Sequence, residues 1–124
     1  MTAKGEIYKC DECGSVIEAI APGAVPVCCG REMRLMHENS SDGAKEKHVP
    51  VITPCGNGTK VTVGSVLHPS TQEHYIMWIE LICNDGRYRK ELAPGDAPEV
   101  CFEIPYSDFF KAREYCNLHG LWRK

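Results

Sequence analysis

The sequence lacks any long apolar segment and any cluster of basic residues. Its most apolar run, residues 75–83, is too short to span a bilayer and contains Glu80. The formal net charge is −3, which argues against nucleic acid as a partner because phosphate binding requires clustered Lys and Arg. The first ten residues also lack the apolar core of a signal peptide. We therefore expect a cytoplasmic protein that neither enters a membrane nor binds nucleic acid.

Cysteine, in contrast, is abundant, with eight in 124 residues. In a reducing cytosol, clustered cysteines more often bind metal or do chemistry than form disulfides. Four cysteines lie in the first thirty residues and four of the five histidines lie after residue 45, with a polar, linker-like stretch at residues 38–43 between them. We place one domain at residues 1–38 and a second at 39–124. The first is too small to build a sufficient apolar core, so a structural metal is expected to stabilise it.

The second domain has the pattern of short β-strands. Strands are predicted at residues 60–66, 75–83, 87–92 and 99–104. Residues 107–115 are compatible with a helix or a strand, and we favour a strand. Short strands at this spacing predict an all-β fold and a sandwich.

Cys10, Cys13, Cys28 and Cys29 form the first candidate site. Two cysteines separated by two residues can bind one ion through both sulfurs, and a distant pair completes a tetrahedron. Gly14 and the glycine after Cys29 allow the backbone to turn around the ion. The spacing does not choose between zinc and iron. The alternative, two disulfides or four free thiols, fits the compartment and the small core less well.

A second candidate site is formed by four histidines and a late cysteine, which fall in three short loops flanked by Pro or Gly. They are His48, His68, His74, Cys116 and His119. Each histidine alone would more often be an ordinary residue, but one mixed site explains all five. Five ligands exceed what structural zinc takes and suit an octahedral ion with one open position, where a small molecule can react. A thiolate opposite that position would push electron density towards a bound oxygen species.

Several motifs together resemble the desulfoferrodoxin family of two-iron superoxide reductases. They are the four early cysteines, Asp-Gly-Ala-Lys-Glu-Lys-His-Val-Pro at residues 42–50, His-Pro at 68–69, Trp-Ile-Glu-Leu at 78–81, and Cys-Asn-Leu-His-Gly at 116–120. The resemblance covers both domains. It implies a desulforedoxin-like domain whose four cysteines hold one iron. It also implies an immunoglobulin-like, neelaredoxin-like β-sandwich whose iron has four equatorial histidines, with Cys116 as the axial ligand.

The resemblance further implies an enzyme that reduces superoxide to hydrogen peroxide with one electron and two protons, without releasing dioxygen. Rubredoxin is the electron donor it implies, and a homodimer the assembly. Lys47 is expected to attract superoxide and to donate a hydrogen bond to the nascent peroxide. Glu46 is expected to bind the ferric iron after peroxide leaves. Backbone amides of the turn after Cys116 are expected to donate to its sulfur.

Two other functions remain open from the sequence. The first is an electron-transfer protein in which both irons only shuttle electrons. The second is a zinc-binding interaction module, which explains the early cysteines but not the histidines and Cys116.

Some cysteines and aromatic residues fall outside both sites. Cys83 and Cys101 are expected to be free and buried as small apolar residues, and Cys55 to be exposed in a turn. No function is assigned to these three. Trp78 is expected to pack in the core, while Trp122, close to His119, is compatible with packing or with lining the site.

Overall fold

The computed structural model describes residues 1–39 and 43–124, which form two compact units, Met1–His37 and Glu38–Lys124. The predicted linker, residues 38–43, lies partly outside the described residues. All the regular secondary structure in the described part of the chain is β-strand, apart from one four-residue helix. This confirms the all-β prediction. It contains no helix long and apolar enough to cross a membrane.

The first unit is built from five very short strands. They are β1 (Ile7–Lys9), β2 (Val16–Glu18), β3 (Val27–Cys28), β4 (Arg31–Glu32) and β5 (Arg34–Leu35). The sheet order is β2-β1-β5, and β3 pairs with β4 in a separate hairpin. Tyr8, Cys10 and Met33 form its small buried cluster. A core of this size gives little stability, which is the situation in which small domains depend on a bound metal.

The second unit contains one short helix and seven strands among its described residues. They are α1 (Lys45–His48), β6 (Pro50–Cys55), β7 (Gly58–Val63), β8 (Ile76–Cys83), β9 (Gly86–Glu91), β10 (Glu99–Phe102), β11 (Lys111–Cys116) and β12 (Gly120–Arg123). The strands form a three-stranded sheet, β10-β7-β6, and a four-stranded sheet, β12-β11-β8-β9. All the strand pairs are antiparallel.

The core of the second unit is formed by the facing sides of the two sheets. Val61 and Val63 of β7 cluster with Ile79 and Leu81 of β8 and with Ala112 of β11, and all five are fully buried. The arrangement is the predicted two-sheet sandwich. Three plus four strands is also the count of an immunoglobulin constant domain.

The strand boundaries differ from the predictions in several places. β7 ends at Val63, because Gly64 has φ +78° and turns the chain, so residues 64–66 are not in the strand. His48, which the sequence predicts in a short loop, ends α1, and the first strand of this unit starts at Pro50. The favoured strand at residues 107–115 is confirmed from Lys111 onwards.

The predictions for two of the three leftover cysteines were wrong. Cys55 is half-buried at the end of β6 and not exposed in a turn. Cys101 is exposed and forms a disulfide with Cys55, so it is neither free nor buried. The two residues lie on strands that flank β7, a proximity that sequence separation does not reveal. Cys83 is free, partly buried and packed against the core, as expected.

Candidate metal centres

The four early cysteines converge at one point of the first unit. One sulfur from each of Cys10, Cys13, Cys28 and Cys29 lies within 4.8 Å of the others. The Sγ atoms of Cys13 and Cys28 are 3.6 Å apart, and those of Cys28 and Cys29 are 3.9 Å apart. This grouping brings together all four residues that the sequence predicts for the first site.

Backbone amides and tight turns position these thiols. The amide of Cys13 lowers the pKa of Cys10, burial opposes this, and the amide of Glu12 adds to it, which gives a pKa of about 7. Gly14 has φ +81° and turns the chain after Cys13. Cys29 itself has a positive φ of 52°, an uncommon conformation for a residue with a side chain.

The neighbouring sulfurs raise the pKa of Cys28 to about 12, first through its contact with Cys10 and then through Cys13 and Cys29. Four thiols so close together cannot all ionise without a cation between them, because like charges disfavour ionisation. A metal ion supplies that cation, and four thiolates are the donor set of tetrahedral zinc or iron. The residues present therefore fit a bound metal.

In the second unit, three histidines and a cysteine form another group. His48, His68, His74 and Cys116 each bring one donor atom to within 4.8 Å of the others. His48 comes from the end of α1, and Cys116 from the end of β11. His68 and His74 lie in the loop between β7 and β8, as the sequence predicts.

Backbone carbonyls fix the tautomer of two of these imidazoles. Nδ1 of His48 donates to the carbonyl of Ala44 at 2.7 Å, and Nδ1 of His68 donates to the carbonyl of Pro69 at 2.6 Å. A carbonyl can only accept, so Nδ1 carries the proton and Nε2 offers its lone pair. Bonds of this kind orient histidines that ligate metals.

Burial keeps these imidazoles neutral. It lowers the pKa of His68 to about 4, and it is also the main reason that the pKa values of His48 and His74 are lowered. Nε2 of His48 and Nε2 of His74 are buried without a hydrogen-bond partner among the described residues. Buried polar atoms are normally satisfied, so these two nitrogens are suited to bind a metal ion.

Cys116 is fully buried at the same place. Its Sγ lies 3.5 Å from Nε2 of His68. Burial raises the pKa of the Cys116 thiol, while the amides of His119 and Leu118 donate to the sulfur and lower it. The direction of this contribution agrees with the prediction that amides of this turn donate to the sulfur. Because burial favours the neutral thiol, binding of a cation is what would deprotonate it.

His119 and Trp122 pack against this group. The ring of His119 lies 4.8 Å from that of His48 and 5.1 Å from that of His74, between centroids. Trp122 is fully buried, its ring stacks on His48 at 4.9 Å, and its indole N–H donates to the carbonyl of His119. Trp122 therefore lines the site, an outcome that its position three residues after His119 left open.

Glu46 and Lys47 are exposed residues of α1 beside the histidines. The charge of Lys47 contributes to lowering the pKa of His74, and that of Glu46 acts to raise the pKa of His48. The carbonyl of Glu46 accepts from the amide of Val66 and the hydroxyl of Ser65, which ties α1 to the loop after β7. Both residues therefore lie on a segment that is anchored beside the histidine group.

Gly64 has a role in this arrangement that the sequence did not predict. A Cβ built at Gly64 would lie 2.6 Å from Cα of Lys47 and would also meet the Glu46 carbonyl. No residue with a side chain fits at this position without moving α1.

We expect Gly64→Ala to destabilise the second unit by about 2–3 kcal/mol, because it adds a backbone collision to the cost of a positive φ. Gly95→Ala is the matched control, since Gly95 has φ +93° but open space around its Cβ; it should cost only about 1 kcal/mol. Urea unfolding followed by fluorescence of Trp78 and Trp122 measures this unit alone. Equal losses in the two variants would show that the contact with α1 is unimportant.

The fold and the two donor sets define a class: an all-β metalloprotein with one thiolate site and one mixed imidazole and thiolate site. Family comparison agrees with this class. The family profile described as Desulfoferrodoxin matches residues 40–124, and the one described as Desulfoferrodoxin, N-terminal domain, matches residues 2–36. The chain belongs to the desulfoferrodoxin family.

Individual relatives cover nearly the whole chain. Desulfoferrodoxin of Nitratidesulfovibrio vulgaris is 58% identical, over 95% of this chain and 94% of its own. Desulfoferrodoxin of Syntrophotalea carbinolica is 54% identical, over 98% and 97%. The crystal structure of the superoxide reductase from Treponema pallidum matches with a TM-score of 0.72 and 37% identity, over 96% of this chain and 98% of that one.

Proposed function

We propose that this chain is a superoxide reductase that holds one iron in each unit. One observation carries the proposal. Two buried histidine nitrogens that have no hydrogen-bond partner among the described residues lie with His68 and the Cys116 sulfur around one point, beside exposed Lys47. Family membership and the resemblance to a solved superoxide reductase support it. Residues 1–38 would form the four-cysteine domain and residues 39–124 the catalytic domain.

Each donor set has a defined role in this proposal. The four cysteines of the first unit would hold one iron. His48, His68, His74 and Cys116 would hold the second, with His119 as a fifth ligand from the ring packed beside them. When bound there in the ferrous state, iron supplies the one electron that, with two protons, converts superoxide to hydrogen peroxide.

The residues around the second donor set would control access and charge. Trp122 and the burial of the imidazoles keep water from the buried side. Lys47 is exposed beside His74, so its positive charge would raise the local concentration of superoxide. Its ammonium group would donate a hydrogen bond to the nascent peroxide. Glu46, beside His48, would supply a carboxylate to the ferric ion once the product has left.

We expect Lys47→Ala to slow the bimolecular reaction with superoxide by about tenfold at low ionic strength, because electrostatic steering is lost. The difference should shrink as salt is added, since salt screens exposed charges. Lys45→Ala is the matched control, because Lys45 is an exposed lysine of the same helix and is not among the charges that act on His74. Pulse radiolysis measures these rates. Equal rates for the two variants at low salt would remove Lys47 from the proposed role.

An electron carrier is the alternative function, and ligand binding distinguishes it. Inner-sphere reduction of superoxide needs an open coordination position, whereas a carrier works best with saturated iron. We expect azide to shift the visible spectrum of the ferric second site. An unchanged spectrum at saturating azide would favour the carrier.

Zinc in both sites of protein from its native host would favour an interaction module instead.

The physiological setting is also a proposal. We infer a cytoplasmic location, because both donor sets need reduced thiolates. A rubredoxin-like protein is proposed as the electron donor and a homodimer as the assembly, both on the family resemblance. Sedimentation velocity tests the dimer, and stopped-flow reduction of the ferric protein by reduced rubredoxin tests the donor.

A further inference from the structure

The pair Cys55–Cys101 lies in the second unit, outside both metal centres. Cys55 ends β6 and Cys101 lies in β10, the two strands that flank β7 in the three-stranded sheet. The register places Cys55 opposite Gly58 and Cys101 opposite Lys60. The two Cα atoms are 6.3 Å apart, which is within the range that a disulfide spans.

Gly58 leaves space beside the sulfur of Cys101 and the carbonyl of Cys55. A Cβ built there would lie 3.3 Å from the carbonyl of Cys55 and 3.4 Å from Sγ of Cys101, and would collide with the carbonyl of Phe102. The absence of a side chain at this position of β7 therefore allows the flanking strands to bring their cysteines together.

The pair is open to small reactants. Cys101 is exposed and Cys55 is half-buried, and both line a surface cleft of about 450 Å³. Both can therefore meet oxidants and thiols directly. Cys83, in contrast, is partly buried, and its pKa is raised by burial and by the charge of Asp85. Cys83 is a free cysteine, so it serves as a single-thiol comparison for the pair.

We propose that Cys55 and Cys101 are a reversible dithiol–disulfide site that is oxidised by hydrogen peroxide and reduced by small or protein dithiols. The exposed Cys101 thiolate attacks one peroxide oxygen, the O–O bond breaks, and a sulfenic acid and one water form. The Cys55 thiol then attacks that sulfur, which closes the disulfide and releases the second water. Two electrons pass from the two sulfurs to one peroxide, and two protons leave with the waters.

The return step is thiol–disulfide exchange. A dithiol attacks the disulfide, passes through a mixed disulfide, and leaves oxidised, with both cysteines again as thiols. The source of peroxide rests on the proposed function, since superoxide reduction would form it on the same chain. The chemistry of the pair itself does not depend on that activity.

Native-state alkylation tests the site. The iron-loaded protein is reduced with dithiothreitol under anaerobic conditions, desalted and divided. One half receives a small molar excess of hydrogen peroxide, and both are treated with iodoacetamide without denaturant and analysed by peptide mass spectrometry. We expect alkylated Cys55 and Cys101 in the untreated half, a cross-linked Cys55–Cys101 peptide in the other, and full reversal by fresh dithiothreitol.

Variants and an internal control sharpen the test. Cys101→Ser should prevent the cross-link, and the alkylation of Cys83 should be the same in both halves. The proposal would be overturned if iodoacetamide still alkylated Cys55 and Cys101 after treatment with excess peroxide. It would also be overturned if the disulfide resisted dithiothreitol until the protein was denatured. Peroxide is added directly, so a chain inactive towards superoxide would still give the expected result if the site is real.

Discussion

Replacing Cys116 with serine is expected to remove the thiolate-to-ferric visible band of the second site and to lower its affinity for iron by more than about 100-fold, because even loss of an outer hydrogen-bond partner costs 10- to 100-fold. Cys116 is fully buried, and its sulfur lies 3.5 Å from Nε2 of His68. A serine hydroxyl in the same place would not ionise to a comparable donor. Superoxide reduction should fall with the loss of iron.

Cys83→Ser is the matched control for this variant. Cys83 is a free, partly buried cysteine of the same unit outside both donor sets, so it tests for the general effect of replacing sulfur in the sandwich. It should retain two irons per chain and the wild-type spectrum. A Cys116→Ser protein with full iron content, an unchanged visible band and unchanged activity would refute the assignment of Cys116 as a ligand.

Replacing Glu80 with alanine is expected to destabilise the second unit by about 3–5 kcal/mol, the cost of breaking a buried ion pair. Glu80 is 1% exposed and accepts from Arg113 at 2.7 Å and from Arg89 at 2.6 Å, with Arg87 at 3.6 Å. Arg113 is buried as well, and its guanidinium would lose this carboxylate without gaining access to water.

Glu99→Ala is the control for the loss of a carboxylate. Glu99 pairs with Lys60 at 4.0 Å, and both side chains are substantially exposed, so the change should cost less than about 1 kcal/mol. Urea unfolding monitored by tryptophan fluorescence compares the two variants. Equal small losses would show that the Glu80 network contributes no more than a surface pair.

The Glu80 contribution should also depend on pH. Burial alone would raise the pKa of Glu80, but the hydrogen bonds and charges of Arg113 and Arg89 outweigh it and leave the pKa below its ordinary value. The unfolded chain then binds this proton more tightly than the folded chain. The carboxylate therefore stabilises the fold at neutral pH, and this stabilisation is lost as the pH falls through the folded-state pKa. The gap between wild type and Glu80→Ala should narrow under acidic conditions.

Spacing and residue type predicted the four cysteines that the structure groups in the first unit and four of the donors that it groups in the second, whereas the ring of the predicted fifth ligand, His119, packs beside that group. Two cysteines separated by two residues, and histidines beside Pro or Gly in short loops, indicate metal binding before any fold is known. The alternating apolar residues of β7 and the apolar run of β8 likewise indicated strands.

The remaining features depend on contacts between distant segments, which a local pattern does not encode. Gly64 supports α1, and Trp122 covers His48, through tertiary packing. Cys55 and Cys101 meet only because β6 and β10 both pair with β7. Both faces of β8 are buried, so its sequence is almost continuously apolar. Glu80 lies within that apolar run and is therefore a buried charge, which the pattern alone does not predict.

The stoichiometry of the reaction with superoxide tests the central claim most directly. The iron-loaded protein, reduced to the ferrous state, is mixed with a known amount of superoxide, and hydrogen peroxide and dioxygen are measured together. We expect one hydrogen peroxide and one oxidised second-site iron for each superoxide consumed, and no dioxygen. Release of dioxygen with half as much peroxide would indicate dismutation, and no reaction would indicate an electron carrier; either result would contradict the assignment as a superoxide reductase.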